Sequence, residues 1–219
     1  MKTYLVVGLG FFGRELAIDL TENGGEVIAV DKDMELVEEI QDKVAYAMRM
    51  DATDLKSLRT LDIRHIDVGT VCIGENFEAN LLTAMHLKEL GIKKVYGRAS
   101  SHTHVKILEA VGVDILSPEL DAAKQWAFRL RHWDMLDVAF LDEDVTAAKI
   151  LAPEKFNGKS LRELDLRNQY GVNLLAIHRF LESGEKVIRN PGGDAVVKSG
   201  DLLGVIGSQE DLQKLCPPE

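Results

Sequence analysis

Three glycines carry the first recognisable chemistry. Gly8-Leu9-Gly10-Phe11-Phe12-Gly13 is a G-x-G-x-x-G that follows an apolar strand-like run and opens a helical pattern. Asp31 stands 21 residues beyond Gly10, at the end of the next apolar run. That combination is the arrangement of a dinucleotide-binding turn. Gly8 permits the tight reversal, Gly10 lets a pyrophosphate approach the backbone, and Gly13 lets the helix pack on the strand. The helix start offers N–H groups and partial positive charge to phosphates. Asp31 is placed to accept both ribose hydroxyls and would repel a 2′-phosphate, which disfavours NADP despite the neighbouring Lys32. The competing reading is a doubly wound domain that has lost its ligand.

Other polar residues follow the same strands. Asp33 reads first as the N-cap of the next helix, and Asp54 likewise. In Asp51-Ala52-Thr53-Asp54, Asp51 could accept a hydrogen bond from an adenine amino group. Arg98 ends a later strand, where it would reach phosphate or form a surface ion pair. Glu119 follows Pro118 at a helix start; favourable first-turn placement competes there with a role as cation ligand. His102-x-His104 has the look of a metal pair but no third ligand, so solvated histidines are expected. No nucleophile–base spacing or H-E-x-x-H motif is present.

The elements that must position these residues alternate with a short period. Strand-like runs at Thr3–Gly8, Glu26–Val30, Val44–Met50, Gly69–Ile73, Lys93–Tyr96 and Val113–Leu116 are separated by helical patterns. Runs that are apolar throughout are expected to be buried on both faces. The result is an α/β class protein with a Rossmann-like, doubly wound parallel sheet. A further helix, about 118–132, carries Trp126, Phe128 and Leu130 on several faces and should pack against something besides its own sheet. After Trp133 the pattern turns to short strands and turns, predicting a small α+β domain over residues 134–219 with residues 1–133 before it. The Asp142-Glu143-Asp144 and Ser183-Gly184 segments read as turns.

Composition narrows the function. The chain has 219 residues and a formal net charge of −10, which argues against a nucleic-acid partner. No apolar run approaches the roughly 18 residues of a membrane span. The opening Met1-Lys2-Thr3 leads straight into a strand, so no signal peptide is expected. Two lone thiols, Cys72 and Cys216, point to a reducing compartment without a disulfide framework.

The chain resembles the TrkA/KtrA-type RCK family, cytosolic regulatory subunits of bacterial potassium transporters built from an RCK-N (TrkA-N) and an RCK-C (TrkA-C) domain. The resemblance rests on Val6-Val7-Gly8-Leu9-Gly10-Phe11-Phe12-Gly13, Val30-Asp31-Lys32-Asp33, Asp51-Ala52-Thr53, Cys72-Ile73-Gly74-Glu75, Gly97-Arg98-Ala99 and Ser117-Pro118-Glu119. In the second half it rests on Gly158-Lys159-Ser160-Leu161-Arg162-Glu163-Leu164-Asp165-Leu166-Arg167 and Gly200-Asp201-Leu202-Leu203-Gly204-Val205-Ile206-Gly207. It implies dimers assembled into an octameric ring beneath a membrane-embedded potassium-translocating subunit, hence a cytoplasmic protein peripheral to the inner face of the membrane. It also implies an adenine nucleotide (ATP or ADP, with AMP or NAD/NADH as further candidates) held by the glycine segment, Asp31 to Asp33, Asp51, Ala52, Thr53, Ile73, Gly74, Arg98 and Glu119. Glu119 is implied as a ligand of a divalent or monovalent cation. Arg167 and Asn173 are implied for a second ligand, cyclic di-AMP, against the alternatives of a helix-end salt bridge and a strand-edge turn.

Two departures stand out. Phe11 replaces the arginine common at the fourth position of the glycine motif, and Met50 replaces the glycine usual before Asp51. Arg14 is the nearest replacement cation. The function expected is a nucleotide-driven switch rather than an enzyme. The alternatives are an NAD(H)-dependent oxidoreductase, since NAD and ADP share the half this motif recognises, and an NADH-sensing regulator.

Overall fold

The structure is a computed structural model that describes residues 1–131, 135–142, 144–181 and 184–215. His132, Trp133, Glu143, Ser183, Cys216 and the expected boundary near residue 134 lie outside the described residues. The chain divides into two compact units, residues 1–121 and 122–219.

The first unit is a six-stranded parallel sheet with helices between the strands. In chain order the elements are β1 (Thr3–Val7), α1 (Phe11–Glu22), β2 (Glu26–Asp31), α2 (Met34–Glu38), β3 (Tyr46–Arg49), α3 (Leu55–Leu58), β4 (Val68–Val71), α4 (Phe77–Glu89), β5 (Lys94–Arg98), α5 (His102–Ala110) and β6 (Asp114–Leu116). The sheet order is β3-β2-β1-β4-β5-β6, so the direction of winding reverses on either side of β1. Val7 lies beside Val30 on one side and Val71 on the other. Such a reversal opens a crevice outside the carboxyl ends of the central strands, where α/β sheets hold ligands.

Packing follows the apolar pattern in the central strands. Leu5, Val6, Val30 and Val71 are fully buried. β3 departs from the expected burial on both faces: Tyr46 and Arg49 are exposed because β3 is an edge strand. Helix α2 is short, ending at Glu38, and α3 ends at Leu58 before a 3-10 turn at Ile63–His65.

A helix, α6 (Pro118–Arg131), spans the division between the two units. Of its residues 121 to 130 only Phe128 is buried, while Trp126 and Leu130 are exposed.

The second unit is a five-stranded sheet in which every pairing is antiparallel. Its elements are β7 (Met135–Phe140), β8 (Thr146–Leu151), α7 (Leu161–Leu164), α8 (Leu166–Tyr170), β9 (Asn173–Leu181), β10 (Gly184–Arg189), β11 (Leu202–Gly207) and α9 (Gln209–Leu215). The order is β10-β9-β11-β8-β7. Phe156, Ile177, Leu203 and Leu212 centre its core. Ser160 and Glu163 form a capping box at α7, which fixes where that helix begins. Asp165 then takes a left-handed conformation, φ 40°, and divides α7 from α8, a helix the sequence pattern does not announce.

One buried ion pair ties this unit together. Asp201, 1% exposed, accepts from Arg179 Nε at 2.7 Å and Nη2 at 2.6 Å and from Lys198 N–H at 2.8 Å. Burial alone would push the Asp201 carboxyl up, but these donors outweigh it and hold it below the usual carboxylate range. The folded-state value therefore lies under the unfolded one. The pair's contribution is complete above about pH 4 and is lost as pH falls through the lower, folded value. Asp201→Asn is expected to cost about 3 kcal/mol at neutral pH. Denaturant unfolding at pH 7 and pH 3 should show the wild type losing more stability on acidification than the variant does.

Candidate functional site

The carboxyl ends of β1 and β2 build the centre of the site. Cys72 N–H donates to Val7 O at 2.7 Å and Gly8 N–H to Val30 O at 2.9 Å, so β1 is gripped from both sides where it ends. The chain then reverses at Gly8, φ +91°, a conformation that side chains disfavour. A Cβ there would lie 3.0 Å from Ile73 N. At Gly13 a Cβ would sit 1.9 Å from the Gly8 carbonyl oxygen, so only glycine lets α1 start so close to β1. Gly10 is different: nothing lies within 4 Å of a Cβ built on it. It is exposed, stands at the N-cap of α1 and supplies no side-chain cap. The open first-turn N–H groups and the empty space above Gly10 fit a phosphate group.

Asp31 is pre-oriented toward this space. Its Oδ2 accepts from Leu9 N–H in the glycine turn at 2.6 Å, and its Oδ1 accepts from Asp33 N–H at 2.9 Å. Each carboxylate oxygen has a further lone-pair direction, which suits a pair of ribose hydroxyls. Asp33 caps α2 through Glu35 N–H at 3.0 Å, and Asp54 caps α3 through Lys56 and Ser57, as expected from sequence.

An open groove of about 940 Å³ continues from there between the ends of β2 and β3, lined by Lys32, Asp33, Met50, Asp51 and Thr60 among others. Asp51 accepts from the Thr53 hydroxyl at 2.7 Å and from Thr53 N–H at 3.0 Å. These two bonds hold its carboxyl below the usual range, so it stays an acceptor. Ala52 is buried and Thr53 half-buried. Arg49, which the sequence reading does not single out, pairs in register with Asp31 and donates from Nε to Lys32 O at 3.0 Å. It places a second cation beside Lys32 at the groove.

On the other side of β1 lie Ile73, Gly74, Arg98 and Glu119. Asn80 of α4, completely buried, donates through Nδ2 to Val71 O at 3.1 Å and Ile73 O at 2.9 Å. It pins the strand end that carries Ile73 and Gly74, and nothing in the local pattern distinguishes it from a core position. Arg98 forms an ion pair with Glu119 through Nη2. The Arg98 guanidinium lies 5.6 Å from the Phe12 ring centroid, and a Cβ on Gly74 would approach Nη1 to 2.9 Å. The hydrogen bond from Arg98 holds the Glu119 carboxyl below its usual range.

Several expectations are corrected or placed. Arg14 does not face the phosphate space as a free cation; it pairs with Glu39 and with Glu15. Phe11 is 78% exposed at the head of α1. His104 stacks on Phe77, ring centroids 3.7 Å apart, and is half-buried, while His102 is exposed. Among the described residues no group of three or more His, Cys, Asp or Glu is placed to hold a metal ion. Cys72 is buried and its thiol is pushed up to about 12 by burial. Arg167 lies in α8 and Asn173 opens β9; both are exposed, and no hydrogen bond or ion pair joins them among the described residues. No described helix is long and apolar enough to cross a membrane.

The TrkA-N domain family matches residues 4–118 and the TrkA-C domain family residues 145–218. The chain belongs to the TrkA/KtrA-type RCK family. It is 37% identical over 97% of its length to the Ktr system potassium uptake protein C of Bacillus subtilis, covering 95% of that protein. It is 31% identical to the Ktr system potassium uptake protein A of the same organism, again over 97% of this chain and 95% of the relative. In fold it resembles the GsuK channel bound to NAD, with a TM-score of 0.65 and 16% identity over 98% of this chain, which spans 39% of that one.

Three substitutions separate structural from ligand-facing roles at the site. Gly13→Ala should destabilise the protein by about 3 kcal/mol, because its Cβ meets backbone. Gly10→Ala should leave the melting temperature close to wild type yet weaken nucleotide binding, because its Cβ enters open space. Melting curves and calorimetric titration on both variants check this. Asn80→Ala strands two carbonyls and should cost about 2 kcal/mol in denaturant unfolding.

Proposed function

We propose that this protein is a nucleotide-sensing regulatory subunit of a Ktr/Trk-type potassium uptake system, not an enzyme. The observation that carries the reading is the crevice at the winding reversal. Its phosphate turn is open at Gly10, and its ribose acceptor, Asp31, is already fixed by two backbone N–H groups. The ligand class is an adenine nucleotide, with phosphates on the α1 start, ribose on Asp31 and adenine toward Asp51. The only described cysteine is buried with a raised thiol pKa, and His104 is committed to an aromatic stack, which supports sensing over chemistry.

The protein acts through assembly. Copies pair and associate into a ring that docks on a membrane-embedded potassium-translocating subunit, placing the protein on the cytoplasmic side. A ligand drives such a switch only by binding one ring shape better than another. Moving an equilibrium from 1:99 to 99:1 takes about 5.5 kcal/mol. Shared over eight sites, that is about 0.7 kcal/mol each, within reach of one phosphate contact. Phe11 in place of an arginine is therefore compatible with regulation. The exposed apolar residues of α6, Trp126 and Leu130, supply a surface for another copy.

Calorimetric titration with ADP, ATP and NADH tests the reading. The wild type should bind adenylates, and Asp31→Ala should weaken binding by about 2 kcal/mol, near thirtyfold. No binding by the wild type overturns it. Consumption of NADH with a carbonyl substrate would favour an oxidoreductase instead.

A further inference from the structure

The Arg98–Glu119 pair bears on which ligand the crevice accepts. Arg98 is tightly placed. Its strand position is fixed by pairing with Leu116, Phe12 lies over its guanidinium, Gly74 lies against Nη1, and Nη1 donates to Cys72 O at 3.4 Å. Its side chain is 20% exposed. Its Nε–H has no acceptor among the described residues, so the guanidinium is short of hydrogen-bond partners. Glu119 is the loose member. It is 47% exposed and stands in the first turn of α6, with Arg98 as its ion-pair partner. The cation is built in and the anion is displaceable.

We infer that Glu119 is a specificity-determining residue: its carboxylate occupies the anion position on Arg98 and competes with the phosphate of an incoming nucleotide. This deepens the nucleotide-sensing reading and rests on it. A carboxylate carries one negative charge, as does each bridging phosphate of a dinucleotide. A free terminal phosphate carries about −1.5 to −2 at neutral pH and has three acceptor oxygens. The terminal phosphate of a nucleoside diphosphate or triphosphate therefore outcompetes Glu119 for the unsatisfied guanidinium, while a dinucleotide's phosphates meet an equal rival. Because a half-exposed pair is weak, the barrier Glu119 sets is a modest one.

The test titrates ADP into the full chain in the presence of EDTA, for the wild type, Glu119→Gln, Arg98→Gln and the double variant. Glu119→Gln should bind ADP about fivefold more tightly, because the competitor is gone and Arg98 remains. Arg98→Gln should bind less tightly than wild type, and adding Glu119→Gln to it should restore nothing. A merely structural Glu119 would not produce a gain that vanishes with Arg98. Binding by the wild type together with equal or weaker binding by Glu119→Gln overturns the competition and leaves Glu119 as a helper of the ligand, such as a cation ligand. Absence of ADP binding by the wild type defeats the nucleotide reading itself, and the competition with it.

Discussion

The first unit is organised around a contact between two backbones. Helix α1 begins so close to the end of β1 that residue 13 can carry no Cβ: one would stand 1.9 Å from the Gly8 carbonyl oxygen. The approach is possible because Gly8 turns the chain at φ +91° and because β2 and β4 hold the end of β1 from either side. Once α1 is seated there, its unpaired N–H groups face the crevice where the sheet reverses its winding. Asp31 reinforces the same geometry by accepting from Leu9 in the turn, so the residue suited to ribose also braces the phosphate loop. The three glycines thus do different work at so short a spacing: Gly8 turns the chain, Gly13 admits the close approach, and Gly10 leaves open space.

Much of this was legible in the sequence. A strand, a glycine turn, a helix and an acid after the next strand are local signals, and the structure places Gly8, Gly10, Gly13 and Asp31 together as the spacing requires. Asp33 and Asp54 cap helices because capping depends on residues only two or three positions away. What stayed hidden depends on long-range placement. Arg49 reaches Asp31 through strand register, Asn80 reaches the end of β4 from inside a helix, and Arg98 meets Glu119 across 21 positions. The edge position of β3 follows from sheet order, which an apolar run does not encode. Helix α8 carries no local boundary signal because a left-handed aspartate, rather than a glycine or proline, separates it from α7. Arg14 shows the converse: a cation next to the motif in sequence is committed to Glu39 in space.

The two flanks of the glycine turn divide the labour. The β2–β3 side offers an open groove lined by Asp33, Asp51, Lys32 and Arg49, suited to a nucleoside. The β4–β5 side holds one partly buried arginine, a half-exposed carboxylate and the start of α6, suited to reading charge.

Native mass spectrometry of the purified protein with added ADP addresses the central claim most directly. The account predicts one adenylate per chain, retained with its mass unaltered. A protein that stays free of adenylate at saturating nucleotide, or that releases it chemically changed, would contradict it.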